Sequence, residues 1–205
     1  MTSILRHELH DKKALSFQRK RCILVKPVAD VRYWQKDIRA QARQREKTGK
    51  EMNDKTFTIK TMTIEDYQGL YALWKTIRGF GMRSIDDSRE GVERFLERNP
   101  ATSVVAMSGD GEIVGGILCG HDGRRGCLYH VCVREDYRRL GIGKAMVVHC
   151  MNALKAEGIN KVSLIAFTRN DVGNAFWNTI GWTKRQDLNY YDFTLNEANI
   201  TAFNQ

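Results

Sequence analysis

The stretch "HVCVREDYRRLGIGKAMV", residues 130–147, changes character twice. It opens with strand-like alternation and closes with a helix-like apolar spacing, and between them stand Arg138, Arg139, Leu140, Gly141, Ile142, Gly143 and Lys144. A glycine-rich turn leading from a strand into a helix is a common phosphate cradle, because backbone N–H groups and the helix dipole converge there. Two familiar cradles do not fit. A nucleoside-triphosphate loop needs four residues between its glycines and Lys-Ser/Thr after them, whereas only Ile142 separates Gly141 from Gly143, and Ala145 follows Lys144. A dinucleotide fingerprint needs a third glycine where Met146 stands, and it follows the first strand of its fold rather than the fourth. What remains is R-x-x-G-x-G at 138–143, a turn suited to a pyrophosphate, with Arg138, Arg139 and Lys144 supplying positive charge.

Working outward, "TFTIKTMT" (56–63) alternates as a strand should. Tyr67, Leu70, Leu73, Trp74 and Ile77 then recur at helical spacing. A second helix is expected over 88–100, with Val92, Phe95 and Leu96 on one face and Pro100 beyond its end. Gly109-Asp110-Gly111 predicts a hairpin between "TSVVAMSG" (102–109) and "EIVGGILCGHDG" (112–123). "GCLYHVCV" (126–133) is a further strand leading into the glycine turn and a helix from about Lys144 to Gly158. "KVSLIAF" (161–167) reads as a strand and Asp171–Ile180 as a helix stopped by Gly181. "WTKRQDLNYYDFTL" (182–195) reads as two closing strands. The order β-α-α-β-β-β-α-β-α-β-β predicts one mixed α/β domain over 56–205, with a parallel crossover near the glycine turn.

Residues 1–55 are different. They carry 15 Lys+Arg against 7 Asp+Glu, while 56–205 carry 18 against 17, so nearly all of the net charge of +9 lies in this extension. It lacks a sustained apolar period and is expected to be a solvated or loosely docked appendage. A nucleic-acid-binding arm is the less favoured reading, and a start at Met52, after the purine-codable Gly49-Lys50-Glu51, is a third. The most apolar run, around 113–119, is far shorter than a bilayer span, and no signal-type apolar core stands at the N-terminus, so a cytoplasmic protein is expected. The five cysteines (22, 119, 127, 132 and 150) form no C-x-x-C pair and are odd in number; neither a disulfide framework nor a zinc or other metal site is expected.

The run 130–147 together with "NDVGNAFWNTIGW" (170–182) resembles the signature of the GNAT superfamily of acyl-CoA-dependent N-acetyltransferases, and the element order over 56–205 is similar to that fold throughout. The resemblance implies acetyl-CoA as donor, a primary amine as acceptor, and direct attack in a ternary complex. It also implies that backbone amides from Arg138 through Lys144 hold the pyrophosphate. Val131, Cys132 and Val133 would pair their backbone with the pantetheine arm, Asn170 would hydrogen-bond farther along the cofactor, and Trp177 would lie beside it. The two central parallel strands, 126–133 and 161–167, would splay to admit the thioester, and a strand amide would stabilise the oxyanion. A homodimer is compatible with the family.

Two departures concern proton transfer. Many members carry a tyrosine four residues before the Gly-aromatic pair, to protonate the leaving thiolate. Here Trp177 stands there, and an indole N–H is no comparable acid. A glutamate common on the strand before Asn170 is also absent from Leu164-Ile165-Ala166. The candidate replacements are Tyr129, His130 and Tyr191. Simple alternation places Cys127, Tyr129, Val131 and Val133 on one face, with His130 on the opposite face unless the strand is bulged; the resemblance implies that catalytic groups on this strand share the parity of 127 and 129, which favours Tyr129 as a water-ordering or proton-relaying group. Tyr190 or Tyr191 could stand in for the lost tyrosine. Thiolate catalysis by Cys127 or Cys132 is disfavoured, since neither adjoins an activating partner. The acceptor mouth is expected at 78–90 and 185–191. Asp86, Asp87 and Glu90 could attract an ammonium there, although capping and solvation is the more ordinary role for such acids. The alternatives to an enzyme are a catalytically silent acyl-CoA sensor and a nucleic-acid-associated protein acting through the basic extension.

Overall fold

The computed structural model describes residues 55–205; the extension 1–55, except for Lys55, lies outside the described residues, and with it the expectations about that segment. Strand β1 (Phe57–Thr61) leads through a turn of 3-10 helix (Ile64–Asp66) into α1 (Tyr67–Thr76). Then come β2 (Gly81–Arg83), α2 (Arg89–Arg98), the hairpin β3 (Val104–Ser108) and β4 (Ile113–His121), and β5 (Gly126–Val133). A second 3-10 turn (Glu135–Tyr137) precedes α3 (Ile142–Ala156), followed by β6 (Val162–Leu164), α4 (Asp171–Thr179) and β7 (Thr201–Phe203).

The main sheet runs β1-β3-β4-β5-β6. Its pairs are antiparallel except β5 with β6, which are parallel and joined by α3 as the crossover. Each face carries one apolar cluster. Ile142, Met146, Val147 and Leu154 of α3 cover one side, and Leu70, Leu73 and Trp74 of α1 with Val92 and Leu96 of α2 cover the other. Each fully buried aliphatic side chain contributes roughly 1.5–3 kcal/mol. The two helical layers approach the sheet closely because Gly115 and Gly116 sit side by side in β4. A Cβ on Gly116 would stand 2.4 Å from a Leu70 methyl, and one on Gly115 would stand 3.0 Å from the Met146 methyl on the other face.

The structure departs from expectation at the end of the chain. Residues 182–195 form no strands, and Leu188, Tyr190, Tyr191, Phe193 and Leu195 are exposed. Instead the three-residue β7 pairs antiparallel with β2, an unexpected strand between the first two helices. Alternating apolar residues favour a strand only where a neighbour offers backbone partners, and here asparagines dock the chain end elsewhere. Asn204 donates from Nδ2 to the carbonyls of Trp74 (2.7 Å) and Ile77 (2.9 Å), closing the end of α1. Asn199 Oδ1 accepts from the N–H groups of Ile85 (3.0 Å) and Asp86 (3.2 Å). The chain end is thereby tied to the segment joining α1 and α2. Among the described residues no helix is long and apolar enough to cross a membrane.

Candidate active site

The site is organised by β5 and by the turn that follows it. Arg134 bridges Glu112 (2.6 Å) and Asp136 (2.9 Å), and Lys55 pairs with Asp136 (2.7 Å). Between these cations the buried Tyr137 ring receives Lys55 Nζ at 4.3 Å and the Arg134 guanidinium at 4.6 Å from its centroid. This brace fixes the direction in which the chain leaves β5. Arg139 and Gly141 then take left-handed φ values of 64° and 89°, the alternating backbone that makes anion-binding nests.

Gly141 is the N-cap of α3, and it supplies no side-chain cap; the first turn carries no acidic residue. Two other helix starts are closed by their own side chains, α2 by Ser88 and α4 by Asn170. A helix start leaves its first N–H groups without intrahelical partners, so the positive end of α3 is furnished for an anion. Open space adjoins Gly141, and a Cβ on Gly143 would stand 3.3 Å from the Phe176 ring. Arg138 donates from Nε to the Val133 carbonyl (3.3 Å), so one of its edges reinforces the strand end. The turn 138–144 thus leads from the end of β5 into a helix start that no side chain of its own N-cap closes.

Ladder pairing between β5 and β6 runs from Gly126/Val162 to Leu128/Leu164 and ends there. Beyond Leu128 the edge of β5 that faces β6 has no strand partner among the described residues, because β6 ends at Leu164. Val131, Cys132 and Val133 all lie in this unpaired stretch. An exposed strand edge offers alternating N–H and C=O groups to an extended amide-bearing ligand.

Simple alternation fails at one place along β5. The β4/β5 register moves from Leu118↔Tyr129 to Gly116↔Cys132, so His130 and Val131 together oppose Ile117. This is a β-bulge, and its hinge is His130, at a left-handed φ of 50°. Two successive side chains, Tyr129 and His130, consequently face the α1/α2 side. Tyr129 meets Phe95 edge-on at 5.9 Å, and His130 lies against Trp74 (4.9 Å) and Phe80 (4.8 Å). Cys132 follows them into that cluster, while Val131 and Val133 turn to the α3 side. Alternation groups Tyr129 with Val131 and Val133 and sets His130 opposite; the bulge reverses both placements.

His130 meets an acid on this face. Its Nε2 lies 2.6 Å from Asp87 Oδ1, and Asp87 is only 5% exposed. The other carboxylate oxygen of Asp87 accepts the Arg83 N–H (2.6 Å), its backbone N–H donates to the Arg83 carbonyl (3.0 Å), and its carbonyl accepts from the Tyr67 hydroxyl (2.9 Å). Asp87 is therefore held from three sides. Gly91 permits this: a Cβ there would stand 2.3 Å and 2.4 Å from the carbonyl oxygens of Ile85 and Asp86. Capping and solvation, the role expected of the acids at 86–90, suits Asp86, which accepts from Asn199 (2.8 Å) and faces Arg83 (3.8 Å), but not Asp87. No local pattern marks the partnership, because its members are 43 positions apart.

Burial holds the Tyr129 phenol well above its ordinary range, with contributions from Cys127 and from Tyr190, so it stays protonated at neutral pH and is a donor rather than a base. Burial likewise pushes the Cys132 thiol up to about 12 and raises Cys127, leaving no ready thiolate. Tyr191 is 85% exposed on the irregular segment, and its neighbour Tyr190 is the one that reaches Tyr129 electrostatically. Asn170 Oδ1 caps α4 by accepting the Gly173 N–H (2.9 Å), leaving the Nδ2 donor for other use. Trp177 packs between Phe176 and Trp182, each ring centroid at 4.9 Å, against the α3 cluster. Among the described residues no group of three or more His, Cys, Asp or Glu side chains converges as a metal site.

Comparison with known proteins identifies the family. The model of the acetyltransferase (GNAT) family matches residues 67–182. An acetyltransferase of Sodalis glossinidius is 34% identical over 113 residues, covering 55% of this chain and 78% of the relative. One from Pectobacterium atrosepticum is 33% identical over the same shares. Similar solved folds include an aminoglycoside acetyltransferase from an uncultured soil metagenomic sample (TM-score 0.54, 22% identity, 68% of this chain and 97% of that one). The PaiA N-acetyltransferase of Thermoplasma acidophilum, solved with coenzyme A, has TM-score 0.51 and 17% identity over 60% of this chain and 87% of that one. The chain belongs to the GNAT family of acetyltransferases. It is an N-acetyltransferase of the acetyl-CoA-dependent class.

Proposed function

We propose that residues 56–205 transfer an acetyl group from acetyl-CoA to a primary amine by direct attack in a ternary complex, with residues 1–55 as a separate appendage. The observation that carries this reading is the conjunction of an α3 start without a side-chain cap and a β5 edge that loses its partner after Leu128. Backbone amides of 138–144 hold the pyrophosphate, with Arg138, Arg139 and Lys144 adding charge. The edge at 131–133 accepts the pantetheine arm, which brings the thioester into the opening between β5 and β6. Asn170 donates from Nδ2 to the cofactor, and Trp177 forms part of its apolar wall.

The acceptor enters from the side of the α1–α2 segment and β7. A lysine-like amine with a reference pKa near 10.4 is neutral in roughly one molecule per few thousand at pH 7, so a group that removes its proton accelerates attack. A strand amide stabilises the oxyanion, and the protonated Tyr129 phenol is suited to assist the departing thiolate. Solved relatives of similar fold include an aminoglycoside acetyltransferase, and small amines and peptide amines both belong in the search for the acceptor.

Titration calorimetry with acetyl-CoA tests the donor site. Gly141→Glu and Gly143→Glu abolish binding while circular dichroism remains that of the folded domain; unchanged affinity would sink the assignment. A thiol-release assay across a panel of primary amines tests the transfer. Acetyl-CoA binding with no amine-dependent thiol from any member of the panel would overturn the transfer to a primary amine.

A further inference from the structure

We infer that Asp87 and His130 form a carboxylate–imidazole dyad in which His130 is the base for the acceptor amine and Asp87 is its positioning residue. The inference rests on the acetyltransferase reading above. Its ground is the geometry of the α1/α2 face. The bulge that turns His130 onto this face holds a histidine at a φ of 50°, an unfavourable backbone state that persists where the surroundings impose it. Those surroundings are the Trp74 and Phe80 rings and the Asp87 carboxylate.

The buried carboxylate has its second oxygen occupied by the Arg83 N–H, so Oδ1 is committed to His130 Nε2. A carboxylate accepts and does not donate, so Nε2 carries the hydrogen and Nδ1 keeps the lone pair. No hydrogen bond to Nδ1 is made among the described residues, and the His130 side chain retains 21% of its exposure where the Asp87 side chain retains 6%. The position along the strand suits the task. His130 lies two residues beyond the last β5/β6 pair, Leu128/Leu164, at the start of the opening that the thioester would enter.

The step balances without further reactants. Nδ1 takes a proton from the acceptor ammonium, the free amine forms a C–N bond to the acetyl carbon, and the C–S bond breaks. The proton that the attacking nitrogen then sheds goes to the CoA thiolate, and the imidazolium returns its proton to solvent. Asp87 stabilises the imidazolium during the step and fixes the tautomer before it. Replacing the carboxylate by an amide reverses that tautomer: with its oxygen kept on the Arg83 N–H, the side chain of the Asp87→Asn variant would offer Nε2 an NH2 group, and the hydrogen would move to Nδ1.

The experiment uses the full chain and the variants Asp87→Asn and His130→Gln. The probe acceptor is benzylamine, a primary alkylamine whose phenyl ring can lie against the half-buried Phe80, with basal thiol release to water measured alongside. Each variant is expected to lower kcat by roughly 10²- to 10⁴-fold while acetyl-CoA Kd stays within about twofold. The double variant is expected to be no slower than the worse single one. Independently of turnover, nitrogen-15 histidine spectra of neutral His130, identified by its loss in His130→Gln, report the hydrogen on Nε2 in the wild type and on Nδ1 in Asp87→Asn. A wild-type hydrogen on Nδ1, or wild-type kcat in His130→Gln, overturns the dyad. Failure to bind acetyl-CoA instead overturns the acetyltransferase reading and leaves the tautomer result standing. Should Asp87→Asn not fold, His130→Gln, which keeps an amide N–H for Asp87, decides alone.

Discussion

The proposed donor cradle and the proposed dyad lie along one strand-to-helix unit, and they are built from different material. The cradle at 138–144 is contiguous backbone, shaped by a left-handed Arg139 and Gly141 and by a helix start whose N-cap has no side chain to close it. The dyad is made of two side chains 43 positions apart, which meet only because a bulge turns His130 and a tightly held loop presents Asp87. The contrast teaches that a cofactor common to a family can be held by groups every residue possesses, whereas the chemistry particular to one chain is carried by tertiary contacts. The two sites should therefore fail separately.

The largest expected effect is the most direct test of that separation. Gly143→Glu eliminates acetyl-CoA binding, since its side chain starts 3.3 Å from the Phe176 ring and carries negative charge to the α3 start. Histidine spectra of that variant should still report the hydrogen on His130 Nε2; a changed tautomer would mean that the two regions are coupled. The converse variants, Asp87→Asn and His130→Gln, lose turnover and keep the cofactor.

A smaller effect comes from Gly91→Ala. The added methyl meets backbone oxygens that cannot swing away, so thermal unfolding should show a loss of about 2 kcal/mol. Because those oxygens belong to the loop carrying Asp87, kcat falls as well while acetyl-CoA affinity holds. Next is an alkaline transition. The unfolded chain releases a Cys132-type proton near 9 and the folded chain near 12. Stability is thus unaffected by this group below 9 and declines as pH rises from 9 towards 12. Cys132→Ala removes that part of the decline in melting temperature measured across the window. The smallest effect separates two roles of one residue on the donor side. Asn170→Ala loses the α4 cap at about 1 kcal/mol, whereas Asn170→Asp keeps the cap and lacks the Nδ2 donor. A few-fold weaker acetyl-CoA affinity in Asn170→Asp, without loss of stability, marks that donor as a cofactor contact.

The same distinction governs how much can be read from the chain before folding. Helices α1 to α4, the β3–β4 hairpin and the crossover after β5 follow from periods and turn residues that act over a few positions. The glycine turn before α3 is legible for that reason, since its requirement for glycine is local. The β2/β7 pair is not legible: three-residue strands are too short for a period, and what places β7 is the reach of Asn199 and Asn204 to the α1–α2 segment. Residues 182–195 alternate convincingly and form no strand, because alternation cannot report whether a partner edge is within reach. The bulge carries no marker either. A left-handed residue is usually announced by glycine, and here it is His130, so counting along the strand puts Tyr129 and His130 on opposite faces.

That bulge also makes β5 one residue longer than the stretch of β4 it spans. In effect the strand is a spacer whose length sets the phase between two ends: upstream of it one parity faces α1 and α2, downstream the other. Removing one residue near 130 would flatten the pairing and put either the dyad or Val131 and Val133 on the wrong side, however well the remaining residues were chosen. This strand should therefore tolerate changes of residue more readily than a change in their number.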